Sequence, residues 1–149
     1  MGQQQLLLLV LGIVIVGLAV VVGIQAFGEN QSKANADALI NDGIRIASDA
    51  QAWALKPTAF GGGDGDFLSG PANDVDVSFD LLGYDNAGGV YDNVNGNFEI
   101  SAVTAAGFTV TGCSRATFGD TVNLVAVVVD GFSSDNITTT VTRPATCPE

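Results

Sequence analysis

The side chains that usually do chemistry are thinly supplied here. With no histidine in the chain, the commonest metal ligand, the usual general base and any Ser-His or Cys-His nucleophile pair are missing together. Two cysteines, Cys113 and Cys147, stand 34 positions apart, outside any CxxC arrangement and with no thiolate-activating partner nearby. A single disulfide is the natural reading. On the chain-entropy model a loop of that size contributes about 4 kcal/mol. It would tie down the C-terminus and imply an oxidising, non-cytosolic compartment. The alternative is two free buried thiols in a cytosolic protein.

Carboxylates are the abundant reactive groups, and their spacing is uninformative. Asp64, Asp66, Asp74, Asp76 and Asp80 are crowded enough to suggest calcium held by oxygen ligands, yet the DxDxDG loop with its distant glutamate is absent. A solvated acidic loop is the plainer reading. The stretch YDNVNGNFE carries the same choice, and an Asn- and Gly-rich turn accounts for it. Carboxylate pairs for hydrolysis must face each other across a cleft, and sequence spacing does not place them there. Asn136 opens an NIT glycosylation sequon, exposed if a hairpin forms around it. Trp53 and the eight phenylalanines are expected to fill a core. The expectation is a protein without catalytic residues, cofactor or metal. A formal charge of −11, with Lys33, Arg45, Lys56, Arg115 and Arg143 as the sole basic side chains, also excludes a phosphate-binding surface and hence nucleic acid as partner.

The elements that would position these groups begin with an oily run. From Leu6 to Ile24 there are six Leu, six Val, three Ile, three Gly and one Ala, with no charge. As a helix this run spans about 28 Å, the thickness of a bilayer core. Its fifteen large aliphatics favour membrane placement by roughly 5 to 9 kcal/mol, reduced in part by the glycines. A cleaved secretory signal would need a basic n-region and a shorter apolar run. The segment therefore reads as retained.

No proline interrupts the chain until Pro57, so the helix is expected to continue. Leu39, Gly43, Ile46, Ala50, Trp53 and Ala54 fall on one face at 3.6-residue spacing, while Asp37, Asn41, Arg45, Ser48 and Asp49 fall elsewhere. Asp42 and Asp49 also sit three and four residues from Arg45, a spacing worth a few tenths of a kcal/mol per pair. Gly28 and Gly43 are the weak points, each costing about 1 kcal/mol against Ala. Pro57 and the GGG that follows end the helix. The organisation predicted is residues 1–24 as a hydrophobic helix, 25–56 as its amphipathic continuation, and 57–149 as a glycine-rich connector and sheet. Strands are expected near Val75 to Leu82, Phe98 to Val103, Phe108 to Cys113, Val122 to Asp130 and Ile137 to Thr142, with turns at TAAG and DGFSSDN. Because a small antiparallel sheet must bury one face, the amphipathic half of the helix should form one core with it, an α+β fold.

A short polar start, an aliphatic helix that becomes amphipathic, a small sheet and a C-terminal cysteine pair together resemble a type IV pilin. MGQQQLLLLVLGIVIVG and ALKPTAFGGGDGDF are similar to short bacterial pilin-like proteins with a QQQ-aliphatic start and a K-P…GGG connector. The resemblance implies subunits held in the inner membrane, then extracted by pilus assembly machinery and packed helix to helix in an extracellular filament. In that family a basic leader ending in glycine is usually removed, and a glutamate at the fifth position of the processed chain pairs with the new amine. Here Gly2 would end a two-residue leader and leave Leu7 at that place, whereas an intact Met1 leaves Gln5, an amide able to accept from an ammonium without burying an unpaired charge.

Ala19 and Gly23 make a small-xxx-small pair, and Gly12 and Gly17 add smooth surface for close helix packing, although glycine is common in any membrane helix. Gly12 or Gly17 would also let the helix stretch or melt locally on assembly. Two other readings stay open: a single-pass anchored surface domain that binds a partner without polymerising, and a pseudopilin of a secretion machine.

Overall fold

A computed structural model of the chain describes residues 2–68, 76–117, 121–145 and 147. Its dominant element is α1, Gly2–Ala54, 53 residues without a break, about 80 Å long. Neither Gly28 nor Gly43 interrupts it. The face expected to be apolar is the buried one: Leu39, Gly43, Ile46, Ala50, Trp53 and Ala54 all lose their solvent contact, joined by Ser32, Ala36, Ala47 and Gln51. Asp37, Asn41, Arg45, Ser48 and Asp49 remain exposed. Termination comes two residues earlier than the proline alone requires. The connector folds back, so that Gly63 N–H donates to the Trp53 carbonyl, Gly65 N–H to Ala54 and Asp64 N–H to Lys56. Carbonyls that a helix end leaves unpaired are thereby satisfied by the glycine-rich segment itself.

The remainder is a single antiparallel meander of six strands in sequence order: β1 (Asn86–Ala87), β2 (Val90–Asp92), β3 (Gly96–Ser101), β4 (Gly107–Ser114), β5 (Val122–Asp130) and β6 (Ile137–Ala145). β5 matches its expected bounds, and the turns at TAAG and DGFSSDN join β3 to β4 and β5 to β6. Side chains alternate across β4 and β5: Phe108, Val110, Val125, Val127 and Val129 face α1, and Thr109, Thr111, Ala126 and Val128 face outward. Helix and sheet share one core, completed by Leu39, Ile46, Trp53, Phe67, Phe79 and Phe98.

Two expectations are corrected. The strand drawn from Val75 to Leu82 is instead a helical turn, α2, over Phe79–Leu82; Val75 lies outside the described residues. Val77 and Phe79 are both buried, as alternation required. The chain turns because Gly83 adopts φ +77° and its N–H donates to the carbonyls of Asp80 and Phe79, a left-handed cap that residues with a Cβ adopt reluctantly. The phenylalanines do not all fill the core either. Phe67, Phe79, Phe98 and Phe108 do, whereas Phe27 and Phe60 are largely exposed and Phe132 partly so; Phe118 lies outside the described residues.

α1 crosses the sheet closely because of Gly43. A Cβ placed there would lie 2.7 Å from Cγ2 of Val127, so the glycine that weakens the helix is the residue that lets it touch β5.

Candidate functional site

The head holds residues 32–54 of α1, and the first half of the helix projects free of it. All fifteen large aliphatics between residues 6 and 24 are exposed, each at half or more of its surface, and none of the apolar window is buried within the chain. Gln5, Gly12, Gly17, Ala19 and Gly23 are set on this projecting segment. No described residue comes within 4 Å of a Cβ built on Gly12, Gly17 or Gly23. In a continuous helix Gln5, Gly12, Ala19 and Gly23 fall within about 40° of one another, while Gly17 lies on a different face. That smooth stripe points roughly opposite to the side of α1 that carries the sheet. A second helix would reach it without meeting the head.

Where α1 enters the head, polar side chains fix its direction. Asn123, at the start of β5 and fully buried, donates to the Ser32 carbonyl at 2.8 Å and to Oδ1 of Asn35 at 3.1 Å, and accepts from the Ser32 hydroxyl at 3.1 Å. Arg143 also donates to the Ser32 carbonyl. Asn35 and Asp42 hold the β2–β3 turn, through Asn95 O at 3.2 Å and through Asn93 and Asn95 Nδ2 at 2.9 and 2.7 Å. At the far end Gln51 donates to the carbonyl of Gly131, and the Trp53 indole to that of Gly61. Asp49 accepts from the Tyr84 hydroxyl, and burial, that hydrogen bond and the negative charge of Asp49 push the phenol up to about 12. The carboxylates placed near Arg45 by helical spacing therefore serve tertiary contacts with Asn93, Asn95 and Tyr84. An open groove of about 540 Å³ remains at the junction, between Ile24, Gln25, Gly28, Glu29, Ser32, Thr121 and Arg143.

Cys113 and Cys147 are bonded, their Cα atoms 5.7 Å apart. Cys113 is buried on β4, on the side of the sheet away from α1, and Cys147 is exposed, so the bond straps the chain end across the outer face. Asn136 is exposed at the β5–β6 loop, where its sequon was expected. Among the described residues the acidic cluster is not gathered into a ligand set. Asp66 accepts from Leu68 N–H and Asp80 from Asn86, no metal-holding group of three occurs among the described residues, and Asp74 lies outside them. YDNVNGNFE forms β2, the turn and β3, with Asn93 Oδ1 accepting from the N–H groups of Asn95 and Gly96.

Sequence reasoning did not find Asn123, or the pairing of Asn35, Asp42 and Asp49 with the sheet. Their partners stand 35 to 91 residues away, beyond the reach of any local periodicity. One signal was present: an asparagine opening the otherwise aliphatic run NLVAVVV of β5.

The architecture, a long apolar helix packed on an antiparallel sheet with a C-terminal disulfide, is the one the pilin resemblance implies. No family model, curated protein or solved structure matches the chain.

Proposed function

We propose that the chain is the structural subunit of an extracellular, type IV pilus-like filament. Residues 6–24 would hold it in a membrane before assembly and pack against copies of the same segment afterwards. The observation that carries this reading is the exposure of fifteen aliphatics on a helix continuous with the folded head. Such a surface is stable in lipid or against its own kind and in neither case in water. A membrane anchor accounts for hydrophobicity alone. The stripe of Gln5, Gly12, Ala19 and Gly23, directed away from the sheet, adds a surface suited to close helix contact. The disulfide favours assembly outside the cytosol. The partners proposed are further copies of the chain, the inner membrane and the machinery that extracts subunits from it; no enzymatic role is proposed.

Electron microscopy of filaments sheared from the native cells, with intact mass spectrometry of their subunit, tests this. The expected result is a filament in which this chain predominates, with a mass that also reports whether Met1 and Gly2 remain. A chain confined to the membrane fraction, with no filament containing it, would replace the proposal by an anchored surface domain.

A further inference from the structure

We infer that Asn136 is the acceptor of an N-linked saccharide, transferred from a lipid diphosphate-linked donor on the extracytoplasmic side of the membrane. An anchored head that never polymerises would offer the same acceptor, so the filament reading is not required. The chain contains two Asn-x-Ser/Thr sequons without proline, Asn30-Gln31-Ser32 and Asn136-Ile137-Thr138. Both satisfy the pattern, and the fold separates them. Transfer needs the acceptor amide and the hydroxyl two residues on to be presented together. In α1 residues two apart point about 200° from each other, so Asn30 and Ser32 lie on opposite faces of the helix. Ser32 is also 6% exposed, with its hydroxyl donated to Oδ1 of Asn123 at 3.1 Å and its carbonyl accepting from Asn123 and Arg143. Presenting this sequon would unwind α1 and leave the buried Asn123 without its partner.

The second sequon is free where the first is committed. Asn136 closes the single helical turn Ser134–Asn136, and Thr138 is the second residue of β6. Ile137 between them is extended, with φ −100° and ψ 115°, so the side chains of Asn136 and Thr138 project to the same side of the chain. Both residues are exposed, and neither side chain is engaged by another described residue. Gly131, at φ +112°, supplies clearance, because a Cβ there would fall 2.5 Å from Nδ2 of Asn136. β6 ends the strand order, with no strand beyond it among the described residues, so a transferase can approach from the open edge. The loop itself is held. Nε2 of Gln51 donates to the carbonyls of Gly131 and Ser133 at 2.9 and 3.4 Å, which fixes the acceptor at the tip of the head, about 28 Å along α1 from Ser32.

The transfer is a substitution at the first sugar. Nδ2 of Asn136 attacks the anomeric carbon, and the bond from that carbon to the diphosphate oxygen breaks. The lipid diphosphate leaves with the bonding pair, and the amide nitrogen gives up one proton to a base of the transferase. No oxidant or reductant enters. The Cys113–Cys147 bond places the head in an oxidising compartment outside the cytosol, the setting in which surface loops of this kind are modified.

The test uses the full chain from its native cells, taken both from sheared filaments and from the membrane fraction. Peptide mass spectrometry should find a saccharide on Asn136, with sugar fragment ions released from that peptide, and Asn30 bare. Asn136→Gln and Thr138→Val should each return the peptide to the mass its sequence requires. Both positions are exposed, and valine keeps the branched shape that β6 favours, so the head should fold in either variant. Thr138→Ser keeps the hydroxyl and should retain the saccharide, and Asn30→Gln should leave it unchanged. An unmodified Asn136 in the native chain from both fractions overturns the inference and leaves the filament reading untouched. A saccharide confined to Asn30, or one on Ser133, Ser134 or Thr140 that survives Asn136→Gln, overturns it equally. Chain that carries the saccharide on Asn136 in the membrane fraction and enters no filament upholds the inference and removes the filament reading.

Discussion

Replacing Gly43 by alanine sets two effects of known sign against each other. In an isolated helix the change gains about 1 kcal/mol, because alanine is the best helix former and glycine among the worst. In this fold the new methyl would sit 2.7 Å from Cγ2 of Val127, where carbon atoms prefer about 3.5 to 4.0 Å. Val127 is 1% exposed, in the middle of β5 and flanked by Val125 and Val129 in the same core, so it has little room to retreat. Overpacking of this kind costs about 1 to 3 kcal/mol. The net expectation is a loss of about 1 kcal/mol, or about 4 °C in melting temperature for a domain of this size. Urea or thermal unfolding of the full chain in detergent, followed by the fluorescence of Trp53, the single tryptophan, buried at the tip, reads it directly. A double-mutant cycle isolates the contact. Val127→Ala removes the offending methyl and leaves Cβ at an ordinary 3.7 Å, so in that background Gly43→Ala should stabilise by about 1 kcal/mol, a coupling of about 2 kcal/mol. Gly43→Ala stabilising the wild type, or a cycle that is merely additive, would refute the argument that this glycine exists for close approach.

Four further expectations follow from the same contacts. Reduction of the Cys113–Cys147 bond, or Cys147→Ser, should lower stability by about 4 kcal/mol in urea titrations with and without reductant. Asn123→Leu should cost about 1 to 3 kcal/mol, since it leaves the Ser32 hydroxyl and Asn35 without their buried partner, with the loss visible as faster amide exchange through residues 32–36. Tyr84 holds its proton more tightly folded than unfolded, with its value pushed up from 10 to about 12 by burial and Asp49; the stability it lends is present below pH 10 and is lost as pH rises towards 12. Absorbance titration near 295 nm should show that late ionisation in the wild type and not in Tyr84→Phe. Gly12→Leu, on the packing stripe, should leave membrane insertion and head folding intact, because no described residue approaches its Cβ within 4 Å, while filament yield falls.

Helix α1 and the pairing of its stripe with a sheet were legible because both depend on near neighbours in sequence. Period 3.6 exposes the face of Leu39, Ile46, Ala50 and Trp53, and β-branched alternation exposes β3 to β6. β1 and β2, two and three residues long, carry too few side chains to register as alternation, and they exist because β3 offers them an edge. The turn at Phe79 escapes the sequence pattern for a related cause: alternation of Val77 and Phe79 is satisfied by burial alone, whatever the backbone does next at Gly83.

By itself, the order of residues determined a membrane-length aliphatic segment, a helix running on past it, an antiparallel sheet, a paired cysteine loop and the poverty of catalytic groups. All of these follow from composition or short-range period. What the tertiary structure alone decided is which polar groups hold α1 to the head and why Gly43 must lack a side chain. Those facts depend on contacts between residues tens of positions apart, whose energies are set by packing distance and burial, and neither quantity exists until the chain has folded.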